Sequence, residues 1–134
     1  MVIIVIFLIH WYSSLFFQTI FLHRYASHQM FTMSRFWERV FFLFTFITQG
    51  SSFLNPRAYA ILHRLHHKHS DTDKDPHSPE YSKNIIMLNI NTVKHYESVR
   101  RNKKDYSKYD YNVPRWAWLE KFSDHWVTRL SFIL

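Results

Sequence analysis

Histidine is the residue type whose number and spacing in this sequence could do chemistry. Five of the ten histidines lie between positions 63 and 77. Three of these, His63, His66 and His67, are spaced i, i+3 and i+4, which places them on one side of an α-helix. Imidazoles that a rigid helix holds in convergent positions are suitable ligands for a transition-metal ion. The spacing therefore predicts a metal site on a helix.

A second pair of histidines, His23 and His28, lies in the segment HRYASH. Residues five apart in a continuous α-helix diverge by about 140°. We therefore expect either that the helix ends between them or that the two side chains address different metal ions. Two separate clusters in one short chain favour metal binding over isolated surface histidines.

The other five histidines carry weaker signals. For His69, at a lysine-rich helix end, and His77, in Asp-Pro-His, we expect contacts with the metal ligands or with lipid headgroups rather than direct metal binding. His10 lies within an apolar segment, where a polar group needs an internal partner, so we expect it to be packed. We expect His95 and His125 at the surface.

The residue types also restrict the metal. The chain has no cysteine, which excludes disulfides, thiolate zinc sites and Cys-ligated iron–sulfur clusters. The zinc-protease pattern HExxH is absent because Arg64 follows His63, and the ExxH pairs of soluble di-iron bundles are absent as well. Many imidazoles without a carboxylate partner indicate a nitrogen-rich iron site beside a membrane.

The front of the chain is apolar and the back is polar. Residues 1–22 contain no charged side chain, and as a helix they extend about 30 Å, the thickness of a bilayer's hydrocarbon core. A cleaved signal fits poorly, because no basic stretch precedes this segment and no small-residue cleavage site follows it. Of the 17 lysines and arginines, 13 lie from position 63 onward. We therefore predict a transmembrane helix at 1–22.

The net charge of +7 raises the question of a nucleic-acid partner. The most basic segment, 94–108, interleaves its lysines and arginines with acidic residues and tyrosines. A membrane protein with basic residues on its cytoplasmic side has the same charge. We interpret this segment as a solvated face that also contacts anionic lipid headgroups, and we expect no nucleic-acid partner.

The chain is expected to be an all-α integral membrane protein, a single partial domain over 1–134. With one glycine, strands and tight hairpins have little support. Glycine, serine and proline separate the helical segments. The expected segments are the transmembrane helix at 1–22, a polar connector at 23–35, an apolar segment at 36–54, a cytosolic helical region at 57–115 and the start of the next membrane segment at 116–134. Within the cytosolic region we expect a helix from Arg57 to about Lys68, a loop at 70–80 and an amphipathic helix at 83–101.

The order of the motifs restricts the membrane topology. If both histidine clusters share one metal site, they lie on the same side of the membrane. Only the apolar segment 36–54 separates them, and two crossings need about 40 residues. We therefore predict that 36–54 does not span but lies in the interface or dips in and returns. Hydropathy alone would instead indicate a second transmembrane helix.

The two clusters carry a family resemblance. HRYASH at 23–28, followed by HRLHHKHSDTDKDPHSP at 63–79, resembles the first two histidine boxes of the membrane fatty acyl desaturases, whose pattern is HxxxxH and then HxxHH with a trailing DPH. The segment FTMSRFWERVFFLFTFITQGSSFLNPRAY between them is similar to the bacterial acyl-CoA branch, and WLEKFSDHWVTRL resembles the approach to the next membrane helices. The resemblance covers nearly the whole chain.

The resemblance implies a partial desaturase fold with its histidine boxes on the cytoplasmic side. It implies a non-haem site of two iron ions that uses O2 to remove two hydrogens from a long-chain fatty acyl substrate, leaving a cis double bond. The acyl group would be a CoA thioester or a membrane lipid, and the electrons would come from an external donor. The aromatic residues Phe41, Phe42, Phe44 and Phe46 would face lipid or line the acyl path. Carried over by motif position, the metal ligands are His23, His28, His63, His66 and His67, and the residues that support the ligands or face the substrate are Arg64, Asp71, Asp75 and His77.

The chain also departs from the family pattern. The third HxxHH box and an Asn-Trp-x-x-His segment are absent, Ala26 stands where many relatives have Trp, and DPHSP replaces DPHN. We expect the chain to be an N-terminal fragment with too few ligands for a complete di-iron site, and therefore inactive by itself. The alternatives are a related membrane di-iron hydroxylase and a non-catalytic remnant that binds metal.

Overall fold

The structure, a computed structural model, describes residues 1–133 and contains no strand among them, which confirms the all-α prediction. The connections between the helices are short, apart from the loop that precedes α4 and the segment 101–116 that follows it. In chain order the elements are α1 Val2–Phe17, which continues as a π-helix at Gln18–Ser27, α2 Arg35–Gln49, a 3₁₀ turn at Gly50–Ser52, α3 Pro56–His69, α4 Ile85–Arg100, a 3₁₀ turn at Ser107–Tyr109, α5 Ala117–Asp124 and α6 Trp126–Ser131.

The first helix is long, apolar and exposed. It runs without a break over the 26 residues Val2–Ser27, and no side chain of α1 is buried against the rest of the chain. Its 16 α-helical residues extend about 24 Å, and the ten π-helical residues lengthen it further, so the whole helix is long enough to cross the hydrocarbon core of a bilayer. Within residues 1–133 it is the one helix long and apolar enough to cross a membrane. The prediction that a connector begins at residue 23 was wrong, since the helix continues to Ser27.

Helix α2 turns back along the second half of this first helix. The Tyr25 hydroxyl donates to Glu38 Oε2 at 2.7 Å, and the ring of Phe21 lies 5.5 Å from that of Phe42. Further from the histidines, Phe17 stacks on Phe44 at 5.4 Å. As residue numbers fall along the first helix they rise along α2, so the two helices are antiparallel.

Helix α3 returns in the opposite direction and carries the second histidine cluster. Asn55 caps its first turn by accepting from the backbone N–H of Ala58 at 3.0 Å, and Pro56 occupies the first helical position. The expected helix from Arg57 to about Lys68 is therefore confirmed to within one residue. α3 packs against α4 through a small core of Ala58, Ile61, Leu62 and Val99.

The main core lies between the π-helix, α2 and α5. Its buried side chains include Phe42 and Phe46, which were expected to face lipid or line an acyl path. That expectation was wrong for these two, because they pack inside the chain. Phe41 is half-buried and Phe44 is 45% exposed, so the outer face of α2 carries the aromatic surface. The core residues are Phe21, Leu22, Phe42, Phe46, Phe53 and Leu119.

The last two helices pack onto the turn that ends α2. Gly50, at φ 54°, terminates α2 in the left-handed region that favours glycine. Phe132, after α6, lies 5.3 Å from Phe46, and Arg129 donates to the Ser51 carbonyl at 2.8 Å. With eight and six residues, α5 and α6 are each too short to cross a bilayer. The start of a membrane segment at 116–134 therefore stays a prediction.

Candidate metal centre

A π-helical turn brings the first pair of histidines together. The backbone N–H of His28 donates to the His23 carbonyl at 3.1 Å, an i→i+5 bond that takes in about one residue more per turn than an α-helix. The two imidazole centroids lie 4.6 Å apart. The helix ends at Ser27, between the two residues, which is the first of the two sequence-based alternatives; whether the two side chains bind the same metal ion stays a prediction. The helix does not turn them apart. It widens, and both face the same centre.

Helix α3 presents two further imidazoles to this pair. His63 Nε2 lies 3.0 Å from His28 Nε2 and 3.0 Å from His67 Nε2. The rings of His23 and His63 are 4.6 Å apart, and those of His28 and His67 are 4.8 Å apart. The ligand atoms of all four histidines lie within 4.8 Å of one another. Residues from two stretches separated by 35 positions therefore form one cluster, here called the four-histidine cluster.

The spacing within the four-histidine cluster fits a metal ion. Two nitrogens that each lie about 2.1 Å from an ion, at right angles to one another, are about 3.0 Å apart. The two Nε2–Nε2 distances in the cluster are 3.0 Å. Neutral imidazole nitrogens suit divalent first-row ions, so the donor set agrees with iron.

The electrostatics of the cluster keep two of its imidazoles, His28 and His63, neutral. Burial, followed by the neighbouring imidazoles, lowers the pKa of His63 from 6.5 to about 3. Burial also lowers the pKa of His28, with further contributions from the His23 and His67 imidazoles. Metal binding requires unprotonated imidazole. At neutral pH these two imidazoles therefore need not lose a proton to bind an ion.

His66 belongs to a second group rather than to the four-histidine cluster. Its Nδ1 lies 2.9 Å and 3.0 Å from the two carboxylate oxygens of Asp75, whose side chain is 1% exposed. The His77 ring stacks on the His66 ring at 4.6 Å, and the His77 backbone N–H donates to Asp75 Oδ1 at 3.1 Å. The ligand atoms of these three residues also lie within 4.8 Å of one another.

The carboxylate of Asp75 fixes the orientation of His66. Burial alone would raise the pKa of Asp75, but hydrogen bonds from His66 and from the backbone of His77 outweigh it and lower the pKa. Because Asp75 engages Nδ1 of His66, Nε2 is the nitrogen left to bind a metal, the arrangement common among metal-bound histidines. The His66 ring lies 5.7 Å from that of His67. His66 is therefore adjacent to the four-histidine cluster but held separately.

The remaining sequence candidates lie outside both groups. Asp71 is exposed with φ 59°, and its carboxylate makes no hydrogen bond to a described residue. His69 is partly exposed, and its carbonyl accepts from the Thr72 backbone. His10 is exposed on α1, so the expectation that it packs within the chain was wrong. His95 and His125 are at the surface, as expected; His125 Nδ1 accepts from the Val127 backbone at the start of α6.

Sequence reasoning missed the polar segment Ser107–Asn112. It lies against Arg64, which donates to the carbonyls of Tyr109 and Tyr111 as well as to those of Ala26 and Ser27. The sequence carried only one signal of this, an arginine that directly follows the candidate metal ligand His63.

An apolar cavity of about 260 Å³ opens beside the second histidine box, between α3 and α4. His63 and His77 contribute imidazoles to its lining, and most of its walls are apolar. The cavity is lined by Leu54, Tyr59, Leu62, His63, His77, Thr92, Val93 and Tyr96.

The fold and the site define a class of protein: an all-helical chain in which two histidine-bearing segments meet at the end of a long apolar helix. The family model for fatty acid desaturases matches residues 1–133, and the chain belongs to the fatty acid desaturase family.

The chain is similar to the palmitoyl-monogalactosyldiacylglycerol delta-7 desaturase, chloroplastic, of Arabidopsis thaliana, with 33% identity over 79 residues. The match covers 56% of this chain and 20% of the relative, so it spans about a fifth of that protein's length. No solved structure matches the chain significantly. The family assigned from the histidine boxes is confirmed.

Proposed function

We propose that this chain carries the first two histidine boxes of a fatty acyl desaturase, which uses O2 and a non-haem di-iron site to introduce a cis double bond. The observation that carries the proposal is the convergence of His23 and His28 with His63 and His67. Family membership supports it independently. The reaction class is that of an oxidoreductase.

The residues divide between two metal positions. The four-histidine cluster would hold one ion, and His66, oriented by Asp75, would contribute to a second. Bound iron would supply the oxidising chemistry with O2 that an unactivated C–H bond requires. The chain's own residues keep the His28 and His63 imidazoles neutral, fix the ligating nitrogen of His66 and place an apolar cavity beside His63.

The substrate of the proposed reaction is a long-chain fatty acyl group, bound as a CoA thioester or a membrane lipid. The apolar cavity beside His63 and His77 supports an acyl ligand. The name of the Arabidopsis relative describes a palmitoyl lipid as the group on which that protein acts. The exposed helix α1 supports residence in a membrane. The proposal further places the histidines on the cytoplasmic side and takes its electrons from an external donor.

Anaerobic titration with Fe²⁺ tests the metal centre. Detergent-solubilised chain should bind iron saturably, and His63→Ala and His67→Ala should each weaken binding, since each removes a ligand of the cluster. His95→Ala is the matched control, because His95 is exposed and its Nδ1 contacts only the Asn91 carbonyl of its own helix. Equal iron binding by His63→Ala and His95→Ala would contradict the proposal.

Product analysis tests the reaction. The native gene is expressed in the cell from which it comes. The acyl chains of its lipids are then compared by mass spectrometry with those of cells that carry His63→Ala. Loss of two hydrogens that depends on His63 supports desaturation. Gain of an oxygen atom would indicate a hydroxylase instead.

A further inference from the structure

We infer that Arg64 is a positioning residue that clasps the two histidine boxes together and does not bind substrate. The inference rests on the proposed function, because the object it positions is the four-histidine cluster. It gives a positioning role to the arginine that directly follows the candidate ligand His63, and to the segment Ser107–Asn112.

Arg64 reaches from α3 to the end of the π-helix. Its Nε donates to the Ser27 carbonyl at 2.9 Å, and its Nη2 donates to the Ala26 carbonyl at 2.9 Å. Carbonyls at the end of a helix lack partners within the helix, and a cation there is favoured by the helix dipole. Since Ser27 directly precedes His28, these two bonds fix the backbone that carries His28 relative to the backbone that carries His63.

The other end of the guanidinium holds the segment Ser107–Asn112. Arg64 Nη1 donates to the carbonyls of Tyr109 at 2.6 Å and Tyr111 at 2.9 Å, and the guanidinium lies 4.1 Å over the Tyr111 ring. Gln29, just after the first box, donates to the same Tyr111 carbonyl at 3.0 Å. The segment is therefore a third part of the clasp, bonded to both boxes.

A further contact ties this segment to α3. Arg57 Nε lies 2.6 Å from Asp110 Oδ2, one residue from each tyrosine that Arg64 engages. The segment is thus anchored to α3 by two arginines seven residues apart on the same face of the helix. Arg64 is the one that also reaches the first box.

The hydrogen-bond count argues against a substrate role for Arg64. A guanidinium has five N–H donors and no acceptor. Four of these donors are engaged by main-chain carbonyls of the chain itself. An anionic group of a substrate would have to displace bonds that hold the first box. A lysine could not take over the same position, because its single ammonium does not match a fork of carbonyls on two segments.

The first test measures the position of the boxes without any metal. Spin labels are placed on Met30→Cys, beyond the first box, and Lys94→Cys, on the exposed side of α4; the native chain has no cysteine to interfere. We expect a narrow distance distribution by electron paramagnetic resonance. It should broaden in Arg64→Gln and in Arg64→Lys and stay narrow in Arg101→Gln, a control that changes an exposed arginine bonded to Glu97.

The second test measures metal affinity with Co²⁺ as the probe. Arg64→Gln should bind Co²⁺ about 10- to 100-fold more weakly, the usual effect of losing a group that orients ligands. In a His28→Ala background the same substitution should cause little further loss, because the first box no longer supplies that ligand. A change that merely destabilises the chain would weaken binding equally in both backgrounds.

The outcomes separate the two hypotheses. An unbroadened distance distribution in Arg64→Gln, or Co²⁺ affinity within twofold of the unsubstituted chain, would overturn the clasp. Should the unsubstituted chain bind no Co²⁺, the proposed metal centre fails, while the spin-label distances still decide whether Arg64 holds the boxes together.

Discussion

Asp75 determines how His66 can be used, because its buried carboxylate engages one of the two ring nitrogens. The Asp-Pro-His sequence explains the local geometry. The carboxylate of Asp75 accepts from the backbone N–H of His77 two residues later, a turn typical of aspartate. Asp75 thus contacts the candidate metal ligand His66, and the supporting role predicted from its motif position stays a prediction.

Asp75→Asn should weaken the binding of a second metal equivalent by about 10- to 100-fold, since the amide orients and polarises His66 less well than the carboxylate. The first equivalent, bound by the four-histidine cluster, should be unaffected. A stepwise Co²⁺ titration followed by absorption measures both. Asp71→Asn is the control, because Asp71 is exposed. Weakening of both equivalents to the same degree would argue against separate roles for the two groups.

Two phenylalanines on α2 test whether this helix has an inner and an outer face. Phe42 is fully buried, and Phe44 is 45% exposed. Phe42→Ala should lower the free energy of unfolding in detergent by about 3–5 kcal/mol through the cavity that it leaves. Phe44→Ala should change it by less than about 1 kcal/mol. Similar losses for both variants would mean that α2 has no buried face.

At the scale of the elements, helix boundaries were predictable where a cap or a breaker stands in the sequence. Asn55 and Pro56 begin α3, and Gly50 ends α2, because each residue suits that backbone position independently of distant contacts. The π-helix was not predictable. No residue type in Gln18–Ser27 marks a π-helix, and the contacts that hold its end come from distant residues: Arg64 engages the carbonyls of Ala26 and Ser27 from 38 and 37 residues away.

The last helices are joined to α4 by an ion-pair network centred on Arg100. Arg100 donates to Glu97 on its own helix at 2.9 Å and to Asp124 on α5 at 2.5 Å. Arg129 on α6 also reaches Asp124, at 3.3 Å. The charged groups are partly exposed, so solvent screens them, but the network is the polar link between these helices.

Arg100→Gln should lower the free energy of unfolding by about 1–2 kcal/mol at neutral pH. The hydrogen bond from Arg100 lowers the pKa of Glu97 below its usual 4.5. The stability it contributes is therefore present above pH 4.5 and lost as the pH falls further. The free energy of unfolding, measured by denaturation at pH 7 and again below pH 4.5, should differ less between the two pH values for Arg100→Gln than for the unsubstituted chain. The control is Arg101→Gln, because the Arg101 side chain is 62% exposed. This variant should retain most of the difference in unfolding free energy between the two pH values.

At the scale of the whole molecule, α2 runs antiparallel to the first helix, away from His23, and α3 runs back toward it. Both histidine boxes therefore lie at the same end of the chain's helices. The shared end was predictable from the assumption of one metal site. The partners of each box were not, since Arg64, Gln29 and the segment Ser107–Asn112 meet only after folding. Their separations, from 45 to 82 residues, leave no periodic mark in the sequence.

Cysteine labelling tests this topology in membranes. With a membrane-impermeant maleimide, Gln29→Cys and Ser70→Cys should be labelled from the same side, because each lies just after a histidine box. Val2→Cys, at the far end of the 26-residue helix, should be labelled from the opposite side. Labelling of positions 29 and 70 from opposite sides would make 36–54 a crossing segment and would remove the shared centre.

The π-helix at Gln18–Ser27 makes the backbone that carries the first histidine box less stable than α3, which carries the second. Extended π-helices are rare, which indicates that their backbone bonds are less favourable than those of an α-helix such as α3. Amide hydrogens at 24–28 should therefore exchange with solvent faster than those at 60–64 in metal-free protein. An ion held by His23, His28 and the histidines of α3 would stabilise the π-helical segment. Co²⁺ should therefore slow amide exchange at 24–28 more than at 60–64, as measured by mass spectrometry. The second box would then be the preformed half of the centre, onto which metal completes the first.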